Sequence, residues 1–198
     1  MKKNLGNLEN EILHVNGIPY RALRLLGRGK GGYSYLARQE MSDGDSSGEG
    51  NLIVLKKIHH EPCSYYTFGN KIEAEMRDYK RLCEVGIPMP EMYAVDEGGE
   101  TIIKEFIDGP TVMDMLKNSD EPLPDDILSQ ARNIAEMSKT AGLNIDYFPT
   151  NFIYAKGKLW YVDYECNAYM DEWSFDSWGV KYWSHTSELK EYLENHGN

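Results

Sequence analysis

Gly27-Arg28-Gly29-Lys30-Gly31-Gly32-Tyr33-Ser34-Tyr35-Leu36 is the stretch on which the fold turns. Its first six residues match G-x-G-x-x-G, a pattern in which missing Cβ atoms let backbone N–H groups approach phosphate oxygens. A dinucleotide-binding turn with this pattern needs its third glycine to open a helix, whereas Tyr33-Ser34-Tyr35-Leu36 is aromatic and strand-forming. The stretch therefore reads as the turn between two strands. A plain glycine-rich hairpin produces the same letters, so the flanking sequence has to decide between the two.

Upstream, Glu11–Val15 and Pro19–Leu26 flank Asn16-Gly17, a pair that tolerates the positive φ of a type I′ turn and so predicts a hairpin. Downstream, Tyr33–Arg38 continues as a strand. Residues 39–50 are acidic and rich in Ser and Gly, with almost nothing to bury, and read as a mobile connection. Asn51–Ile58 resumes as a buried strand. Within it Lys56 follows Ile53-Val54-Leu55, where an ammonium is costly unless something pairs with it; the plain alternative is an exposed lysine at a strand end. Ile72, Glu75, Tyr79 and Leu82 recur at steps of three and four and predict a helix over 70–85. Glu75, 19 residues after Lys56, is a carboxylate on the apolar face of that helix. A Lys56–Glu75 ion pair resolves both charges and leaves Lys56 aimed at phosphate oxygens.

A second hairpin, Glu91–Asp96 with Thr101–Phe106, precedes Ile107-Asp108-Gly109-Pro110, which breaks the pattern and serves as a linker. The predicted organisation is thus an N-terminal lobe over 1–106 and a C-terminal lobe over 107–198. In the latter, Asp125 or Asp126 caps a helix on which Ile127, Leu128, Ala131, Ile134 and Ala135 share a face. Two short strands, Phe152–Tyr154 and Lys158–Val162, follow. Asp146 and Asn151 form D-x-x-x-x-N in the loop between the helix and these strands, and Asp163 stands 12 residues beyond Asn151. An amide and a carboxylate oxygen suit Mg²⁺, which takes few protein ligands, and Asp146 is spaced to sit near an acceptor hydroxyl. Singly, each of these residues is an ordinary turn or cap residue.

Composition narrows the partners. A chain of 198 residues with 41% apolar content can bury a core as one domain or a pair of small lobes. Its apolar runs are far shorter than the ~20 residues of a membrane span, and Met1-Lys2-Lys3 leads into polar sequence, so neither anchor nor signal peptide is expected. The net charge of −11 and the lack of a basic stripe argue against nucleic acid. Cys63, Cys83 and Cys166 are scattered without a Cys-x-x-Cys pair, which disfavours disulfides and zinc and makes a reducing cytoplasm the expected compartment. His59-His60 reads as a surface pair, Cys166 as a half-buried apolar filler, and the four tryptophans (160, 173, 178, 183) as core and interface packing.

In order and spacing, these elements resemble the protein-kinase-like superfamily over roughly Leu23 to Trp178. The resemblance implies an α+β, two-lobed fold with an antiparallel-sheet N-lobe and a reduced, mainly helical C-lobe, together forming one kinase-like domain. It implies ATP and Mg²⁺ as cofactors and a hydroxyl acceptor, either protein or small molecule. Gly27, Gly29 and Gly32 would cover the nucleotide, Lys56 would touch its α- and β-phosphates, and Glu75 would hold Lys56. Backbone groups of Glu105 and Ile107 would meet the adenine, Asp146 would be the catalytic base, and Asn151 and Asp163 would be the Mg²⁺ ligands.

The departures are informative. Asn144-Ile145-Asp146 stands where regulated protein kinases carry His-Arg-Asp, which removes the arginine that answers a phosphorylated activation loop. Asp163-Tyr164-Glu165 replaces Asp-Phe-Gly, and Phe148 replaces a lysine expected near the γ-phosphate. With 35 residues after Asp163, a peptide-docking platform is expected to be largely missing. Compactness is similar to RIO-type and other minimal serine/threonine kinases, whereas Asp-x-x-Pro-x-Asn resembles choline kinases and aminoglycoside phosphotransferases. A serine/threonine protein kinase is the first expectation, a small-molecule kinase the second, and a nucleotide-binding pseudokinase scaffold the third. The oligomeric state is left open.

Overall fold

The computed structural model describes residues 7–40, 50–61 and 69–196. Most of the connection expected at 39–50 lies outside these residues, as does Cys63. The chain divides into two compact units. One comprises the described residues up to Ala74 with Pro90–Phe106; the other comprises Glu75–Met89 and the described residues from Ile107 onward.

Among the described residues the first unit is a six-stranded antiparallel sheet: β1 (Ile12–Val15), β2 (Ile18–Arg28), β3 (Gly32–Gln39), β4 (Leu52–Ile58), β5 (Met92–Asp96) and β6 (Thr101–Glu105), ordered β1-β2-β3-β4-β6-β5. Val15 pairs with Ile18, so Asn16-Gly17 is a two-residue loop, and φ values of 51° and 80° give it the predicted mirror-image turn. Val15, Tyr20, Ala37, Ile53, Leu55 and Ile103 form a buried cluster in this sheet. Because side chains alternate along a strand, Lys56 lies on the face opposite Leu55.

Helix α1 (Lys71–Val85) opens one residue later than the sequence suggests, with Asn70 Oδ1 accepting the Glu73 N–H at 3.3 Å. The sequence reading assigns all of this helix to residues 1–106, but from Glu75 onward it packs with the second unit. The reason is apolar: Leu82, Val85, Ile87 and Met89 belong to that unit's core.

The second unit adds α2 (Val112–Asn118), α3 (Asp125–Thr140), β7 (Leu143–Ile145), β8 (Phe152–Ala155), β9 (Lys158–Tyr161), β10 (Cys166–Ala168) and α4 (Ser187–His196). Strand β7 pairs with β10, and β8 pairs with β9. Helix α2 is held by a reciprocal cap: Thr111 Oγ1 accepts the Asp114 N–H at 2.9 Å, and the Asp114 carboxylate accepts the Thr111 N–H at 3.1 Å. For α3 the expected Asp cap is not what forms. Pro124 occupies the cap position without a side-chain bond, and Asp125 and Asp126 lie inside the first turn, where their charge suits the helix dipole. Ile127, Ala131 and Ile134 bury the predicted face against a core that includes Phe152, Tyr161, Phe175 and Trp183. Trp183 donates its indole N–H to the Tyr147 carbonyl at 2.7 Å, whereas Trp173 remains half exposed. No described helix is long and apolar enough to cross a membrane.

Asp96 ties the two hairpins of the first unit together. Its carboxylate accepts the Gly99 N–H at 2.7 Å and the Asn16 N–H at 3.3 Å. These backbone N–H bonds, that from Gly99 first, hold its pKa below the ordinary 3.8. A carboxyl whose folded pKa is depressed contributes stability above its unfolded value and loses it as pH falls through the folded one. Urea titrations of wild type and Asp96→Asn should therefore differ most above pH 3.8 and converge below it; a constant difference down to the most acid point would exclude Asp96 as the source.

Candidate functional site

In the first unit, Arg28 pairs with Tyr33 and the Gly29 N–H reaches the Gly32 carbonyl at 2.9 Å, leaving Lys30-Gly31 as the tip of the turn. The three glycines of the motif differ in why they are glycine. A Cβ on Gly32 would lie 2.6 Å from the Lys57 carbonyl oxygen, so the contact between β3 and β4 requires its absence. At Gly27 a Cβ would meet nothing within 4 Å, and at Gly29 the nearest atom is 3.9 Å away. Neither has a positive φ. Packing and conformation therefore do not require glycine at 27 or 29, and the open space beside them can take a ligand.

Lys56 is 9% exposed and sits in mid-sheet, in register with Ser34 on β3 and Ile102 on β6. The alternative of an exposed strand-end lysine is not what forms. Lys104, two residues along from Ile102 and opposite Val54, is a second buried lysine on the same face. Glu105 closes β6, and its N–H is taken by the Glu91 carbonyl at 2.8 Å, so any adenine contact at this residue falls to its carbonyl. Glu75 is half-buried in the part of α1 that belongs to the second unit, and Ile107 is buried there. A groove of about 490 Å³ lined by Tyr20, Ile53, Tyr93, Ile103 and Glu105 lies on the sheet face away from Lys56. Of the residues that the sequence singles out it includes Glu105, and it does not include Lys56 or the glycines of the turn.

The second unit bonds Asn151 to Asp146 and to Val162, the residue before Asp163. Asp146 Oδ1 accepts the Phe148 N–H at 3.1 Å, which fixes the carboxylate. Asn151 donates from Nδ2 to the Asp146 carbonyl at 3.3 Å, and its own carbonyl accepts the Val162 N–H at 2.9 Å. Asp163 Oδ1 accepts the Tyr164 N–H at 2.9 Å.

Sequence reasoning missed the residue that joins these parts. Tyr161, fully buried at the end of β9, accepts the Asp146 N–H at 3.3 Å and donates its hydroxyl to the Glu165 carbonyl at 2.9 Å. One phenol oxygen thus links the Asp146 loop to the segment after Asp163. Burial first, and then the charges of Asp163, Asp146 and Glu165, push its pKa well above 10, so it stays a neutral donor. Its signal in the sequence is a hydroxyl-bearing ring two residues before Asp163, after Leu159-Trp160 in the strand.

Among the described residues, no cluster of three or more His, Cys, Asp and Glu side chains is built to hold a metal. With Nδ2 engaged by Asp146, Asn151 offers Oδ1 to a cation, and the Val162–Asn151 bond keeps this residue beside Asp163. The donor set therefore suits a hard ion.

Two expectations need correction. His59 is not at the surface: it is 5% exposed and hydrogen-bonded through both ring nitrogens. Cys166 is fully and not half buried, at 3% exposure, and burial, reinforced by the Asp78 carboxylate, pushes its thiol up to about 11, which suits an unreactive filler. Asp78 itself, 5% exposed with Arg77 and Arg81 at 3.0 and 3.5 Å, is a buried carboxylate that the sequence pass overlooks.

No protein-family model and no curated protein matches the chain. Among solved structures it is similar to the BubR1 kinase domain, with a TM-score of 0.52 and 18% identity over 79% of this chain and 49% of that one. The chain thus spans about half the length of that domain. At such identity the likeness shows the fold alone, and that fold is the α+β architecture of protein kinases, with a sheet-based first lobe and a mainly helical second.

The bridge makes its own forecast. Tyr161→Phe removes the oxygen that accepts the Asp146 N–H and donates to the Glu165 carbonyl, at a cost of about 0.5–1.5 kcal/mol for each hydrogen bond. Chemical denaturation should show a lower midpoint with an unchanged slope; an unshifted midpoint would mean that the hydroxyl contributes nothing.

Proposed function

We propose that this chain is a phosphotransferase that moves the γ-phosphoryl group of ATP to a hydroxyl acceptor, with a protein serine or threonine as the preferred acceptor. The observation that supports this reading is the frame in which Asp146 and Asn151 are bonded to each other and, through Val162 and Tyr161, to the chain on either side of Asp163. Phosphoryl transfer demands little covalent chemistry from a protein and much positioning, and a rigid frame supplies it.

In this reading the Asp146 carboxylate orients the acceptor hydroxyl and takes its proton as the new P–O bond forms and the bond to ADP breaks. Lys56 places a positive charge on the α- and β-phosphates, and Glu75 holds Lys56 in position. Gly27 and Gly29 leave room for the phosphates to approach the turn, while the carbonyl of Glu105 and the backbone of Ile107 contact adenine. Mg²⁺, held by Asn151 Oδ1 and the Asp163 carboxylate, would neutralise charge on the phosphate oxygens.

A second reading, a nucleotide-binding pseudokinase, rests on Phe148. Where a cation is expected, its ring packs edge-on against Tyr182 and Tyr192, with centroids 5.1 and 4.7 Å away. No charge reaches the γ-phosphate from this side chain.

Mg-ATP should raise thermal stability by about 2.7 kcal/mol at a hundredfold excess over Kd, and Asp163→Ala should lose the Mg²⁺-dependent part. Labelled γ-phosphate should then appear on a member of a protein or small-molecule acceptor panel, which separates a protein kinase from a choline- or aminoglycoside-type enzyme. Equal stabilisation of wild type with Mg²⁺ and with chelator would overturn the metal assignment.

A further inference from the structure

Three successive carbonyls of the glycine-rich turn, those of Gly29, Lys30 and Gly31, are held by His59 and Lys71. The Gly29 carbonyl is 3.0 Å from His59 Nε2, the Lys30 carbonyl accepts from Lys71 Nζ at 3.1 Å, and the Gly31 carbonyl is 3.4 Å from the His59 N–H. Lys71 also donates to the His59 carbonyl, which closes the loop of contacts. His59 is therefore the common member of the network.

Its chemistry is fixed by its neighbours. A carbonyl can only accept, so Nε2 carries the proton that it shares with Gly29. The Glu61 N–H can only donate, and at 3.2 Å from Nδ1 it requires that nitrogen to be unprotonated. The ring is thus a neutral Nε2–H tautomer. Tyr33 fixes its plane, with ring centroids 5.1 Å apart at 55°. The Tyr33 hydroxyl donates to Glu61 at 2.7 Å, and Arg28 pairs with the same carboxylate at 2.5 Å. Glu61, Arg28, Tyr33 and Lys71 are the titratable and charged groups around the imidazole in these contacts.

Fixing the carbonyls also fixes the peptide planes of the turn, and with them the directions of its N–H groups. A glycine-rich segment has more conformations to lose than any other, so a loop left to itself would incur that cost on each binding event. We propose that neutral His59 is the positioning residue of the glycine-rich turn: it pre-organises the turn to receive nucleotide phosphates, an inference that rests on the phosphotransferase reading above. The histidine does not touch the reacting atoms; it acts through Gly29 and Gly31.

The test compares two replacements. His59→Phe keeps the ring shape and the packing on Tyr33 but deletes both side-chain hydrogen bonds, whereas His59→Gln retains an N–H that can reach the Gly29 carbonyl. Calorimetric titration with Mg-ATP should show Kd rising about tenfold in His59→Phe and recovering to within about threefold of wild type in His59→Gln, as expected for one lost hydrogen bond to a preformed site. Hydrogen exchange of the nucleotide-free proteins should show faster exchange at the Gly29 amide in His59→Phe only. If wild type binds and His59→Phe binds equally well with unaltered Gly29 exchange, the positioning role is overturned while the phosphotransferase reading stands. A wild type that binds no nucleotide overturns both.

Discussion

A buried phenol hydroxyl with carboxylates around it is the constraint on which the second unit's chemistry depends. Tyr161 satisfies the Asp146 N–H and the Glu165 carbonyl with one oxygen, at the end of a strand that has no exposed surface at that residue. Both bonds are partly buried, so the ring restricts the separation of the two backbone groups. Asn151 then adds its own bond to the Asp146 carbonyl, and Val162 adds one to Asn151. The Asp146 loop and the chain on either side of Asp163 are thereby referenced to the same buried core.

The first unit answers the same requirement differently. Its ligand-facing candidates are backbone groups of a turn and a lysine in mid-sheet, in a chain whose net charge of −11 opposes any phosphate at long range. A few local cations and oriented amides have to overcome that field. Lys56 and Lys104 are both buried in the sheet, where screening by salt is weakest. The turn is held through its carbonyls by His59 and Lys71, and under the proposed function its dipoles need not reorganise on binding.

Much of this was legible in the sequence. Asn16-Gly17 specified its turn, turn signals and strand-forming or apolar runs placed β2 to β6, and the spacings of Lys56, Glu75, Asp146, Asn151 and Asp163 pointed to a kinase-like fold. Short elements were not read: α2 is only seven residues long, below what periodicity can detect, although Thr111-x-x-Asp114 carried its cap. Strands β7 and β10 have three residues each and are defined by each other across a long sequence separation. His59 looked like a surface residue because nothing in His59-His60 announces that the turn folds back over its ring. Tyr161 was hidden for the same reason, since its role lies in two backbone partners and not in a motif.

The central claim, that Asp146 serves the chemical step, is tested most directly by measuring Mg-ATP affinity and single-turnover phosphoryl transfer for wild type and Asp146→Asn with an accepted hydroxyl substrate. The substitution keeps shape and removes charge. The account predicts nearly unchanged affinity and a transfer rate lower by roughly 10²–10⁴-fold, about 3–5 kcal/mol of barrier. Full transfer by the mutant would contradict it and move the base elsewhere, and equally negligible transfer by both proteins would favour the pseudokinase reading.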